Sequence, residues 1–478
     1  MRKIDGMRKL YLSLFFTISI YSLQAQQLAL YNTETLYDSF ENPSQKAFKA
    51  DTSRKFAFNF FIPTVSANAV FTGPAQNGFK YLIYKQVFNG RDITLGESKT
   101  NTLTAHTNTY LAMFRIFKNV DFNRELGFAW QVRNDGNVKV SNESIAIFDN
   151  YKLFAQNQYD NVFNDKGYNQ SYHQFSISYR EDYDKKLSLG VKLSALSGIS
   201  YNRLKVERSE LKTVPNRDSF YVDLKGEFKS SFLTENVSKN VIYPTFKDPG
   251  IALSAGLSYK LPGGWFLMGN LKDLGFIRWS KDSYDYQFDT LIGINNASDG
   301  TADERLNSAI GTMLNDAAEE DNFVSVINGK AEGMVSKSVG PYKGNFIVSK
   351  NLFYPGGNIG LINNYKLKNF VFTVSEVYNT NDYFSTGAQL MIKSPNVEFF
   401  LGSDQIFKTI EAARSLKNDD PTIGNGHSGA SAYLGFAVKF GPAMEHPANS
   451  NNIPGLEMAS SGPHRSFFSG LFGIFRRR

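Results

Sequence analysis

The chain has 478 residues, no cysteine and a formal charge of +7. The lack of cysteine excludes disulfides, thiolate metal sites, a cysteine nucleophile and a lipidated anchor cysteine. The charge excess sits at the two ends, +3 within residues 1–25 and +4 within residues 465–478, so the body is balanced and no nucleic-acid surface is expected.

Residues 1–25 open with the basic stretch MRKIDGMRKL, continue as an apolar run from Leu10 to about Leu23, and reach a small residue at Ala25. That order predicts a cleaved secretory signal peptide. The competing reading, an anchor helix, needs roughly 20 apolar residues, and this run is shorter. No later apolar run reaches spanning length, which excludes a helical membrane protein. Residues 26–55 then form a separate N-terminal segment ahead of the first strand.

From residue 56 to 440 the pattern is alternation. In ELGFAWQVR, Leu126, Phe128, Trp130 and Val132 oppose Gly127, Ala129, Gln131 and Arg133. In YHQFSISYR, His173, Phe175, Ile177 and Tyr179 oppose Gln174, Ser176, Ser178 and Arg180. Leu187, Leu189, Val191, Leu193 and Ala195 oppose Ser188, Gly190, Lys192 and Ser194. Ile251, Leu253, Ala255, Leu257 and Tyr259 oppose Ser254, Gly256, Ser258 and Lys260. YFSTGAQLMIK and SAYLGFAVKF repeat the rhythm near the end. Side chains alternate across a strand, so each segment has one apolar and one polar face.

Such segments of about nine to eleven residues match a tilted strand crossing a bilayer. EDYDKK and the Pro-Gly-Gly at 262–264 read as tight hairpins. With weaker candidates near 56–70, 106–118, 201–211, 219–228, 344–353, 356–364, 370–378 and 396–403, the fold class expected is all-β, an antiparallel transmembrane barrel of about fourteen strands with helical loop insertions. A soluble sandwich also alternates, but its strands are shorter, and tyrosine and tryptophan cluster here at segment ends as in interfacial belts. Phe440 closes the last candidate strand. The apolar register then faces lipid, and the lumen-lining candidates are Gln174, Ser176, Ser178, Arg180, Ser188, Lys192, Ser254 and Lys260.

Two insertions interrupt the rhythm, near 141–170 and 290–340. In the second, Thr301 and Glu304 form a capping box, and Leu306, Ile310, Met313, Leu314 and Ala317 recur at helical spacing. Residues 441–478 begin as a Pro-containing linker and end in RSFFSGLFGIFRRR, a basic aromatic tail suited to an interfacial helix or to docking a protein partner.

No catalytic constellation emerges, and no cofactor or metal is expected. The five histidines, His106, His173, His427, His446 and His464, show no metal-binding spacing. His106 and His173 are the bases a hydrolase reading would need. His173 lies on the apolar register at a strand start, a bilayer-interface position.

Three stretches, ETLYDSFENPSQKAF, the block from Asp149 to Ser200, and VEFFLGSDQIF, resemble the uncharacterised outer-membrane β-barrel proteins common in Bacteroidota, which belong with FadL-like transport barrels. The resemblance covers most of residues 30–440. It implies a bacterial outer-membrane location and a lumen plug at Asn42 and Pro43, where Ser44 replaces the family's alanine. It also implies uptake or passage of a small hydrophobic molecule. The alternative is a non-enzymatic barrel that docks a secreted or surface partner through its long loops or tail. Outer-membrane lipid is the partner common to both.

Overall fold

The computed structural model describes residues 28–48, 54–76, 80, 93–118, 124–148, 151–232, 243–299, 301–316, 318–420 and 422–442. The expected signal peptide, Ala317, and the tail from 443 onward with His446 and His464 lie outside the described residues.

The alternating stretches fold as strands. They begin with β1 Phe56–Phe58, β2 Thr64–Thr72, β3 Thr100–Phe117, β4 Arg124–Ser141, β5 Gln158–Asp160, β6 Lys166–Asp182 and β7 Leu187–Val214. Next come β8 Ser219–Ser230, β9 Pro249–Lys260, β10 Trp265–Arg278, β11 Tyr284–Asn295, β12 Ala318–Glu320, β13 Val324–Val326 and β14 Lys330–Val339. The last are β15 Tyr342–Asn351, β16 Gly357–Leu367, β17 Phe370–Asn379, β18 Tyr383–Lys393, β19 Val397–Ser403 and β20 Ser428–Phe440. Four α-helices are described: α1 Leu36–Glu41, α2 Asn142–Ala146, α3 Ala302–Asp316 and α4 Ile406–Asn418.

Every ladder is antiparallel. β1 and β2 are two halves of one interrupted strand, since both pair with β3 and with β20. From there the wall runs β3, β4, β6, β7, β9, β10 and β14 through β20, where Phe440 lies opposite Phe56 and closes a barrel of 14 strands. Closure leaves no exposed sheet edge in the wall, which is the condition for strands in hydrocarbon.

The two faces of the wall differ as the alternation requires. Leu193 is 55% exposed outward while its neighbour Ser194 is 1% exposed. Ile177, Leu253, Leu257, Leu361, Phe372 and Phe384 share the outward exposure. An apolar surface that circles the barrel suits acyl chains and is far larger than a water-facing patch. The barrel is transmembrane.

Connections at one end are short, such as 183–186 and 340–341, whereas the other end carries every long one as well as the short 352–356 and 380–382. β7 is the longest strand at 28 residues and continues past the wall. Its far half pairs with β8, β8 with β11, and β11 with β12, making a sheet that projects from the long-connection end. The separate strand expected near 201–211 is therefore this extension of β7. Of the two insertions, 141–170 holds α2, a 3₁₀ turn at Tyr151–Leu153 and β5 before β6 begins at Lys166. The second holds α3, but its last part, from Lys330, is the wall strand β14. Leu306, Met313 and Leu314 of α3 join Phe148, Phe163, Phe220 and Phe288 in a core between the projecting sheet and the insertions.

Candidate functional site: the occupied lumen

Residues 28–48 lie inside the barrel and touch strands all the way round it. Leu28 packs with Met268, Met334, Ile347 and Ile362 of β10, β14, β15 and β16. Tyr31 donates to Glu332 on β14 at 2.7 Å, and the Leu36 amide donates to Glu398 on β19 at 2.7 Å. On the opposite side the Ala47 amide donates to Glu125 on β4 at 3.2 Å. The segment turns at α1, whose first turn is capped by Thr35 accepting from the Asp38 amide.

The plug candidates sit where this segment meets β7 and β9. Asn42 is fully buried, and its Oδ1 accepts from the amide and hydroxyl of Ser44. Ser44 in turn is 2.6 Å from Ser258. A Cβ at Gly190 would overlap the backbone of Pro43 and Ser44, and one at Gly256 would overlap Asn42 Oδ1 and crowd the Ser44 amide. Those two glycines face each other across the β7–β9 ladder.

The lumen-lining candidates occupy the inward register. Gln174, Ser176, Ser178, Arg180, Ser188, Lys192 and Ser254 are each at most 4% exposed. Arg180 Nε donates to the Ser44 carbonyl at 2.9 Å and Lys192 Nζ to the Phe40 carbonyl at 3.1 Å. Gln174 donates to Ser194 and Asp273, and Ser254 to Asp273. Lys260 differs. It continues the same parity but is the exposed last residue of β9, at the short-connection rim.

Reading the alternation alone misses the residue that gathers these charges. Glu41, at the end of α1, is paired with Lys272 and with Arg133 at 2.7 Å, and accepts from Tyr110 at 2.6 Å and Asn108 at 3.0 Å. Arg133 also pairs with Asp273, which Lys192 reaches at 3.1 Å. Buried cations in a wall require buried anions. Arg115, Arg133, Arg180, Lys192 and Lys272 all fall on inward-facing positions, where Glu125 and Asp273 of the wall and Glu41 of the inner segment face them.

Two cavities lie toward the long-connection end. One, of about 40 Å³, is polar and sits in the lumen beyond residue 28, with Asn137, His106, Asn351, Asn381, Tyr383 and Asp404 among its walls. The other, of about 100 Å³, is apolar and lies under α3, between Phe148, Phe163, Val206, Phe288, Ile310 and Met313. Asp165 is a rare polar member of its lining; burial pushes its carboxyl up to about 6, against the hydrogen bonds from Ser144 and Ser141.

The wall itself is interrupted between β1 and β2. Residues 59–63 span a stretch that residues 111–113 cover on β3, so the chain bows outward with Phe60, Phe61 and Ile62 exposed. Asn59 bridges the break: it accepts from the Met113 amide at 3.0 Å and donates to the carbonyls of Ile62 and Leu111. Behind it lies an apolar cluster that includes Ala57, Met113, Tyr433, Tyr37 and Phe40.

The three described histidines take structural places. His106 Nδ1 is 3.1 Å from Asp135, which also accepts from Tyr168 and Asn328. His173 accepts from Trp130 Nε1 at 3.3 Å and is 1% exposed, with Phe175 beside it and Phe246 over Phe175. His427 packs against Tyr383 with the rings tilted and their centroids 5.3 Å apart.

A family model described as a family of unknown function (DUF5723) matches residues 47–404. No curated protein matches the chain. Among solved structures, a TodX monoaromatic hydrocarbon channel mutant is similar over 88% of this chain and 96% of its own, at 9% identity and a TM-score of 0.44. A FadL homologue of Pseudomonas aeruginosa is similar over 81% and 91%, at 10% identity and a TM-score of 0.40. The toluene transporter TodX of Pseudomonas putida is similar over 88% and 95%, at 6% identity and a TM-score of 0.40.

Proposed function

We propose that this chain, which belongs to the family of unknown function DUF5723, is a non-enzymatic outer-membrane barrel that passes a small hydrophobic molecule from the cell exterior toward the bilayer. The observation that carries this reading is the apolar cavity under α3. Long connections of bilayer barrels usually face outward, so that cavity meets the external medium first. Water inside it finds few partners, whereas an apolar guest gains about 25 cal/mol for each Å² removed from water.

The lumen is filled by residues 28–48, so a straight polar pore is not the route in this state. The bowed segment 59–63 offers another. It places an apolar cluster on its inner side and three apolar side chains on its outer side, which is a path that keeps a hydrophobic molecule out of water.

The test is binding and uptake of radiolabelled toluene by the full chain in proteoliposomes, compared with Ile310→Trp, which fills the cavity from α3. The filled variant is expected to lose about tenfold in apparent affinity, or about 1.4 kcal/mol. Parent-like uptake by a correctly folded Ile310→Trp barrel would reject the cavity as the way in.

A further inference from the structure

The polar cavity in the lumen is ringed by asparagine side chains, with Asp404 as its carboxylate. Asn137 Nδ2 is already committed to Thr104 at 3.0 Å, Asn351 Nδ2 to the Pro355 carbonyl at 2.8 Å, and Asn381 Nδ2 to Thr104 at 3.5 Å. One N–H of each amide is thereby engaged, and no hydrogen bond within the described residues reaches their Oδ1 atoms. Asp404, just after β19, lines the same cavity at 7% exposure. Its Oδ2 has no hydrogen-bond partner, and no ion pair among the described residues reaches its carboxyl.

A buried carboxyl without a partner is costly, and protein interiors leave few of them. The missing partner is a donor-rich cation. No group of three His, Cys, Asp or Glu converges among the described residues. The cavity holds about three water-sized positions, which bounds a guest to a few heavy atoms. Tyr168 and Tyr383 complete the wall, and aromatic rings attract ammonium ions. Lys330 also borders the cavity, from β14, in the field of Asp135 and Glu332.

We propose that this cavity binds a small organic ammonium ion, whose N–H groups are shared between Asp404 and the carbonyl oxygens of Asn137, Asn351 and Asn381. The cation is a simple amine or the ammonium end of a zwitterion whose carboxylate points to Lys330; the N–H chemistry is the same. This site is separate from the apolar route, and either can fail without the other.

The experiment is calorimetric titration of the full detergent-solubilised chain with ethylammonium, glycine and propionate in turn. Saturable binding of ethylammonium, with propionate silent, is expected, and Asp404→Asn should weaken it by at least about tenfold. Glycine binding more tightly than ethylammonium would assign the zwitterionic source and keep the proposal. Asp404→Asn keeps the shape of a buried side chain whose Oδ2 has no partner, so its melting temperature should stay close to or exceed that of the parent, which separates lost binding from lost folding. Asn381→Ala, in the connection before β18, provides a second variant and should weaken binding severalfold. Absence of amine binding, or amine binding that survives Asp404→Asn unchanged, would overturn the proposal and leave the cavity to water.

Discussion

Gly190 and Gly256 are two small residues on opposite sides of one ladder, and together they decide whether the lumen can be filled. A strand glycine usually weakens a sheet, and it is tolerated where another backbone must come close. Here that backbone is Asn42-Pro43-Ser44. Gly190→Ala would place a methyl group on the Pro43 carbonyl, and the side chain cannot swing away because Cβ is rigid. The expected outcome is a barrel that folds but releases residues 42–44 from the wall, at a cost of about 1–3 kcal/mol. Conductance in planar bilayers should rise above the parent's, while Gly333→Ala, whose Cβ meets nothing within 4 Å, should not change it. Equal conductance in all three would mean that the segment is not seated through Gly190. The two glycines and Asn42-Pro43 were visible in the sequence, the former as gaps in a polar register and the latter through resemblance. Their contact was not visible, because it joins positions more than a hundred residues apart, as does every partner of Glu41 on β10.

The projecting sheet shows what happens when one strand serves two environments. β7 crosses the bilayer with strict alternation and then passes a bulge opposite Ser171 and Tyr172, where its register with β6 shifts. A bulge offsets the faces, so a single alternating template reads the two halves as separate strands. α3 was easier to read because its apolar spacing is local, and the face formed by Leu306, Met313 and Leu314 is the face that packs. Asp165 was invisible among the aromatics and asparagines of its insertion, yet it borders the apolar cavity. Its folded carboxyl is raised to about 6 from 3.8, so its contribution to stability is fully present below 3.8 and is lost as pH rises through about 6. Thermal melts of the full chain should therefore show a destabilisation in that window that is absent in Asp165→Asn. If the variant keeps the same pH dependence, another group is responsible.

At the scale of the whole molecule, the solvent changes along a single strand direction. The wall turns leucine, phenylalanine and isoleucine outward because acyl chains surround it, and the projecting sheet carries charge pairs such as Arg208 with Asp223 and Asp289 because water does. Exported barrels cannot use sequence hydropathy as a helix would, since inward residues dilute each apolar run; parity is the readable quantity. Leu193 and Leu291 are both exposed, at 55% and 63%, and by composition alone they are equivalent. Leu193 lies midway along the part of β7 that pairs with β9, whereas Leu291 is on β11 in the projecting sheet. An arginine at Leu193 must enter hydrocarbon and should cost about 2–4 kcal/mol in denaturant unfolding from lipid bilayers. An arginine at Leu291 meets water and should stay within about 0.5 kcal/mol of the parent. The difference between the two marks where the bilayer ends. Equal costs would place both leucines in one medium, and the barrel would then not span the membrane along the paired length of β7 and β9.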